Sequence, residues 1–391
     1  MISFEEASEI VMGAVFSTGT EKIPFREADG RILASDVFCD RDLPPFNRSS
    51  VDGFACRWED TGKELEIMAT LSAGMKSDIS LGPDQCIRIM TGAAVPEGAD
   101  CVVMVEDTVI TASGKMKFTG TVSKDNISRR GEDLRKGDLV LEKGHLIRPQ
   151  DIAVMAVVGY TVAEVGRRPV VGVISTGDEL VEPEETPDDF HIRNSNGFQL
   201  MAQIERAGCQ GRYYGIVRDD PGDTLVRIKE AIAENDVVIL TGGVSMGDFD
   251  FIPQVLVDAG VRILFDRVAV QPGKPTTFGV HEKALVFGLP GNPVSSFVQF
   301  ELLVRPLLYY MSGHRRRTLK IRLPLKREIT RKNTVRMNWI PVRIDDEGLV
   351  DPLEYHGSAH ITAYSYADGI ISIPVGVSRL NGGDPVNVWL I

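Results

Sequence analysis

Short apolar runs that break into polar, glycine-rich turns set the rhythm of the middle of this chain. The run 170–174 gives way to Ser175-Thr176-Gly177-Asp178-Glu179-Leu180, and 237–240 gives way to Thr241-Gly242-Gly243-Val244-Ser245-Met246-Gly247-Asp248-Phe249-Asp250. The run 284–287 ends in Gly288-Leu289-Pro290-Gly291-Asn292-Pro293-Val294-Ser295-Ser296. After each turn the pattern predicts a helix. Another helix is expected to open at Asn194 and Ser195, an extended segment at 212–217 leads through Arg218-Asp219-Asp220-Pro221 into a further helix, and a long helix is predicted over 293–311. Strands alternating with helices in this way specify right-handed crossovers and a mostly parallel, doubly wound sheet.

The flanks have other textures. Ser3 and Glu6 form a capping box, with Ala7, Ile10, Val11 and Ala14 at helical spacing, so a helix is expected to end near Phe16. From 43 to 144 short apolar stretches are punctuated by Gly, Asp and Pro, with strands expected at 101–105 and within 136–144. A helix returns at 149–158, with Pro149 near its start and Gly159 as the residue past its end. We expect it to pack on the first helix. Residues 1–44 and 144–168 would then be two halves of a connecting domain, and 45–143 a β-rich module inserted between them. Residues 169–313 would be the α/β core. Beyond the basic joint His314-Arg315-Arg316-Arg317, Leu319, Ile321, Leu323 and Leu325 alternate with polar positions, and strands at 370–375 and 386–391 make 314–391 a small β domain. The expected fold class is multidomain α/β plus β.

Composition narrows the functions available. The chain has 391 residues, 43% hydrophobic and 25% charged, and no run near the ~20 apolar residues of a membrane span. A net charge of −12 argues against general nucleic-acid binding. The five cysteines are widely spaced, contain no C-x-x-C pair and follow no secretory leader, which predicts free thiols in a cytoplasmic protein. The six histidines lack ligand spacing, and no Ser/His/Asp arrangement stands out.

Turns at the carboxyl edge of a parallel sheet gather backbone N–H groups that favour an anion, and added carboxylates favour a cation beside it. Gly242 and Gly243 allow close backbone approach, while Ser245, Asp248 and Asp250 supply a hydroxyl and two carboxylates. Ordinary turn and capping chemistry explains one of those acids but not the whole cluster. Asp178, Glu179 and Asp219 could equally be acids favoured at helix starts. Lys274, in Gln271-Pro272-Gly273-Lys274-Pro275, suits an oxyanion as a point charge, or is a solvated turn lysine. Oxygen donors of this kind suit Mg²⁺ bridging protein to phosphate.

Together these segments resemble one family, the molybdopterin molybdenumtransferases, known as MoeA in bacteria and as the gephyrin E-domain. The resemblance rests on 44–55, Arg88-Ile89-Met90-Thr91-Gly92-Ala93-Ala94-Val95-Pro96-Glu97-Gly98-Ala99-Asp100, Arg129-Arg130-Gly131-Glu132-Asp133 and the turns quoted above, and so spans nearly the whole chain. It implies a MogA/MoaB-like central sheet, a β-rich lid, a C-terminal β barrel and a homodimer. It also implies insertion of molybdenum from molybdate into adenylylated molybdopterin, with AMP released in the presence of Mg²⁺. The pterin-adenylating protein and acceptor molybdoenzymes would be partners; nucleic acid and membrane would not.

By the same resemblance, Asp219 and Asp250 would hold Mg²⁺, and Glu179 would position pterin or water. Lys274, Ser295, Arg336 and Ser358 would receive molybdate. Ser175, Gly177, Gly242, Gly243, Ser245, Pro290 and Pro293 would cradle the pterin nucleotide. Asp52, Thr91 and Asp133 would act from the partner subunit. Two positions depart from many relatives: Gln271 stands where they carry a lysine, which points to weaker oxyanion binding or a shifted preference toward tungstate, and Ser128 precedes the Arg129-Arg130 pair. A non-catalytic scaffold of the same fold, or a pterin or nucleotide adenylyltransferase, stays open on sequence alone.

Overall fold

The computed structural model describes residues 1–75, 78–121, 124–243, 251–314 and 320–391. The first helix, α1 (Phe4–Gly13), is capped by Ser3, whose Oγ accepts the Glu6 N–H at 3.1 Å. It closes at Ala14, short of the expected Phe16. Its Ala7 and Val11 are buried in the core that also holds Val268, Phe300 and Trp339, and the Phe4 and Trp339 rings meet edge-on at 5.3 Å.

The helix α2 (Pro149–Val157) begins at its proline and ends before Gly159, whose φ of 72° is the left-handed conformation glycine supplies at a helix end. It does not pack on α1, contrary to expectation. Met155 fills a separate core with Leu33, Ile147 and Val165, beside the antiparallel pair Thr20–Pro24 and Val162–Gly166. Shape decides this: the flat Ala7 and Val11 face of α1 suits a broad sheet-backed core, whereas Met155 needs the pocket that the strand pair encloses.

The central sheet runs in the order β2-β1-β3-β6-β5-β4, where β1 is Val170–Thr176, β2 Gln210–Val217, β3 Val237–Thr241, β4 Arg262–Phe265, β5 Thr277–Val280 and β6 Leu285–Leu289. The first four in that order are parallel; β5 is antiparallel to both its neighbours. Alternation along β3 shows why both faces are covered. Val237 and Ile239 point to one side with Leu200 and Ile204 of α3 (Asn196–Arg206), while Val238 and Leu240 point to the other with Ile228 and Ile232 of α4 (Pro221–Glu234). The short α5 (Ile252–Asp258) joins the second face, and α6 (Pro293–Gln299) the first.

Two expectations about helices are corrected. No helix follows the first turn: Leu180–Val181 pairs in parallel with Ile192–Arg193, and the chain reaches α3 only at Asn196. Pro183 and Pro187 between them deny helical hydrogen bonds and restrict the residues they follow. The long helix over 293–311 is interrupted. A π turn, Phe300–Val304, separates α6 from α7 (Arg305–Met311), next to Pro306, which has no N–H to continue the ladder.

A six-stranded sheet that includes Gly53–Cys56, Glu64–Leu71, Gln85–Ile89 and Cys101–Met104 lies between Gly53 and Phe118, whereas Leu139–Leu141 pairs with Val37–Phe38. A C-terminal sheet runs Val270–Gln271, Met337–Ile344, Gly369–Ile373, Pro385–Leu390, Lys320–Pro324. Its first strand belongs to the loop after β4, with Val270 and Gln271 paired to Met337 and Asn338. That pairing ties the Lys274 turn to the C-terminal region. All five cysteines are buried free thiols. Among the described residues no helix is long and apolar enough to cross a membrane.

Candidate functional site

The turns that end β1, β3 and β6 are tied into one wall at the carboxyl edge of the sheet. Gly242 has φ 97°, and a Cβ there would stand 2.1 Å from the Thr176 carbonyl oxygen, so only glycine lets the second turn lie against the first. The Asn196 amide then joins the second turn to the third: Nδ2 donates to Thr241 Oγ1 at 2.8 Å and to the Gly291 carbonyl at 2.7 Å.

A cavity of about 470 Å³ opens against this wall. Thr176, Glu179, Asn196, Gly242, Gly243 and Pro290 line it, with Pro293 at the mouth of α6 and Ala359 from the C-terminal region. Thr176 Oγ1 and Asn196 Oδ1 are buried and have no hydrogen-bond partner. Unsatisfied buried polar atoms cost about 1–3 kcal/mol each, a cost that a polar ligand can remove.

Carboxylates gather beside the cavity. The Asp219 N–H donates to Asp178 Oδ1 at 3.2 Å, so the loop after β2 meets the loop after β1. Burial pushes the Asp219 carboxyl above its ordinary range, and the negative charges of Asp178 and Glu179 push it further. Glu179 folds back over Gly177, where φ is 146° and a Cβ would lie 2.5 Å from Glu179 Oε2. Among the described residues no three His, Cys, Asp or Glu side chains form a metal-chelating group. Ser245, Asp248 and Asp250 fall in 244–250, outside the described residues. Crowded oxygen donors without a full protein cage fit Mg²⁺, which keeps several waters and uses one or two carboxylates together with substrate phosphates.

The expected oxyanion residues take different positions. Lys274 is partly buried, and its side chain makes no hydrogen bond or ion pair among the described residues; its neighbour Pro275 lines the cavity. The Ser358 carbonyl accepts the Val294 N–H at 3.1 Å, which docks the C-terminal loop on the start of α6. Arg336 Nη1 donates to the Val270 carbonyl at 3.3 Å. Ser295 is buried within α6 and does not line the cavity. Nor does Ser175, which is fully buried and donates to Asn194 Oδ1 at 3.2 Å.

Asn194 in turn donates to the Tyr213 hydroxyl at 2.7 Å, and Tyr213 donates to Glu182 Oε1 at 2.8 Å. Burial and the Glu182 carboxylate hold the Tyr213 hydroxyl protonated well above its usual range. In the β-rich region Asp52 Oδ1 accepts both the Thr91 N–H at 2.6 Å and the Thr91 hydroxyl at 2.7 Å, which holds the carboxyl low and ionised. Asp133 lies 3.9 Å from Arg48. None of Asp52, Thr91 and Asp133 lines the cavity of its own chain.

Sequence reasoning passed over Thr176, Asn194, Asn196 and Thr241. Asn194 was visible, with Ser195, only as opening a helix, and Asn196 was not singled out. Two amides flanking a serine just before an apolar helix were the available signal, because helix capping uses one such residue and leaves the other to be explained.

A nucleotide-sized cavity at the carboxyl edge of a doubly wound sheet, edged with oxygen donors and closed by a C-terminal β region, defines a ligand-processing α/β enzyme. Family comparisons agree along the chain. Residues 2–159 match the MoeA N-terminal region (domain I and II), 172–310 the probable molybdopterin binding domain, and 322–391 the MoeA C-terminal region (domain IV). The chain is 36% identical to the molybdopterin molybdenumtransferase of Staphylococcus epidermidis, covering 100% of this chain and 95% of the relative. It is also 36% identical to that of Bacillus subtilis, covering 95% and 90%. A crystal structure of the molybdopterin biosynthesis moeA protein from Pyrococcus horikoshii OT3 superposes with a TM-score of 0.87 at 30% identity, covering 100% of both chains. The chain belongs to the molybdopterin molybdenumtransferase family, transferases of molybdenum cofactor biosynthesis.

Proposed function

We propose that this protein inserts molybdenum from molybdate into adenylylated molybdopterin, releasing AMP in a Mg²⁺-dependent step. The observation that carries this reading is the crowding of Asp178, Glu179 and Asp219, which raises the Asp219 carboxyl, beside a cavity that holds unpartnered polar atoms. Such a carboxylate is stabilised when a cation arrives with the substrate's pyrophosphate. Asp219, with Asp250, would hold Mg²⁺, and the ion would supply Lewis-acid stabilisation of charge on the phosphate oxygens.

The chain's own groups do the remaining work. Gly242 and Gly243 leave the backbone bare for close approach by the substrate. Thr176 Oγ1 and Asn196 Oδ1 offer a hydroxyl and an amide oxygen to the pterin's polar edge. Lys274, whose ammonium has no partner among the described residues, would receive the tetrahedral oxyanion together with Arg336 and Ser358; its neighbour Pro275 and Ala359 beside Ser358 line the cavity.

Several further elements belong to this reading: the connecting, lid, core and barrel domains over the boundaries expected from sequence, a cytoplasmic homodimer, and Asp52, Thr91 and Asp133 reaching the partner's site. The absence of those three residues from their own chain's cavity supports the last element. The test is incubation with adenylylated molybdopterin, Mg²⁺ and molybdate, following AMP release and reconstitution of an apo-molybdoenzyme. Pterin binding without AMP release or reconstitution would favour the scaffold.

A further inference from the structure

A second cavity, of about 750 Å³, lies at the opposite edge of the central sheet, and the reaction has no use for it. Its walls come from distant parts of the chain. The segment leading into β1 supplies Arg168, the end of α3 supplies Arg206, α7 supplies Arg305 and Tyr309, and the connecting region supplies Ile32 and Leu146. In a chain of net charge −12, a cavity with this many guanidinium groups is a local reversal of sign.

The charges in its wall do not balance. Arg206 and Arg305 both pair with the one carboxylate of Glu301, whose side chain is 1% exposed; the Arg305 contact is 2.6 Å. Arg206 is half exposed and Glu205 lies in the same wall, so the buried member is Arg305, which shares its carboxylate and whose Nε has no hydrogen-bond partner among the described residues. Arg168 is exposed on the cavity's edge, and its side chain makes no hydrogen bond or ion pair among the described residues. A guanidinium that shares its carboxylate keeps donor capacity that an approaching anion can use. Guanidinium groups are suited to phosphate oxygens, which they bind bidentately.

The volume exceeds what a lone inorganic anion fills and falls in the range of small-molecule sites. Ile32, Leu146 and Tyr309 offer apolar surface next to the arginines. We propose that this cavity binds a phosphate monoester with an apolar or aromatic body, its phosphate on Arg168, Arg206 and Arg305 and its body against Ile32, Leu146 and Tyr309. The site is separate from the cavity at the carboxyl edge and does not depend on the reaction assigned there.

The experiment is isothermal titration of the full chain with inorganic phosphate and with phenyl phosphate, on the wild type and Arg168→Ala. The Arg168 side chain is solvent-exposed and has no partner among the described residues, so its replacement is expected to leave the fold intact. Phenyl phosphate is expected to bind about tenfold more tightly than inorganic phosphate, because its ring adds apolar burial. Arg168→Ala is expected to weaken both by about tenfold, as for a lost charge-assisted hydrogen bond. Equal affinity in wild type and Arg168→Ala would place the anion elsewhere and overturn the proposal. Absence of any phenyl phosphate binding would overturn it too.

Discussion

The backbone N–H of Asp219 donates to the carboxylate of Asp178 at 3.2 Å, linking the loops at the ends of two neighbouring parallel strands. The bond positions the Asp219 carboxyl close to two other acids, and burial with that crowding raises its proton affinity. The sign of the effect on stability follows. A carboxyl whose folded pKa lies above its ordinary 3.8 binds its proton more tightly in the native state than in the unfolded chain. Its ionisation therefore costs stability above the folded pKa, and the cost vanishes below the ordinary value.

Asp219→Asn cannot ionise, so it is expected to raise Tm at pH 7 by roughly a degree or two and to leave it unchanged near pH 3. The effect is small because Asp219 is only partly desolvated and water screens it. Added Mg²⁺ should raise Tm of the wild type and not of the variant. Thermal melts at both pH values, with and without the ion, check the three outcomes; a lowered Tm at pH 7 contradicts the charge crowding.

Gly242→Ala places a methyl 2.1 Å from the Thr176 carbonyl at φ 97°. The second turn must move off the first, at a cost of about 1–3 kcal/mol. Urea unfolding should register that loss, and AMP release should fall further than stability does, because the displaced turn forms the cavity wall.

If Asp52 acts on the partner's site, two inactive variants should rescue each other. Mixing Asp52→Ala with Asp219→Asn gives about half heterodimers, each with one intact site, so activity should recover to about a quarter of wild type. The readout is AMP release after denaturation and co-refolding. No recovery would put Asp52 to work within its own chain.

Gln271 precedes the lysine turn and is exposed, paired through its backbone with Asn338. Gln271→Lys adds a positive charge near Lys274 and is expected to tighten molybdate binding several-fold at low salt, with a changed molybdate-to-tungstate ratio. Competitive titration of the two oxyanions measures both effects. Identical affinities in both proteins would remove Gln271 from the oxyanion site.

Local rules made much of the fold legible. Ser3 capping α1, Pro149 opening α2, Gly159 closing it and the alternation of apolar residues in β3 are each set by neighbours in sequence. What escaped was set by distance in the chain. The destination of α1 depended on Trp339, more than 300 residues away, and the π turn at Phe300–Val304 on a local ladder defect that periodicity does not register. At the site, Glu179, Gly242 and Pro290 were readable as turn chemistry, because glycine and proline there answer local geometry. Asn196 was not, since its role is to join Thr241 to Gly291 across two loops. Ser175 and Ser295 were readable as hydroxyls beside turns, but Ser175 is covered by α3 and Ser295 lies on the inward side of α6.

The most direct measurement is AMP release from adenylylated molybdopterin in the presence of molybdate, titrated with Mg²⁺, for wild type, Asp219→Asn and Asp250→Asn. Wild type should release AMP in a saturable, Mg²⁺-dependent manner. Each variant should lose on the order of 10²-fold or more in rate while keeping its far-UV spectrum and cooperative unfolding. Full turnover in either variant, or wild-type release that ignores Mg²⁺, would contradict a carboxylate-held metal at the end of this sheet.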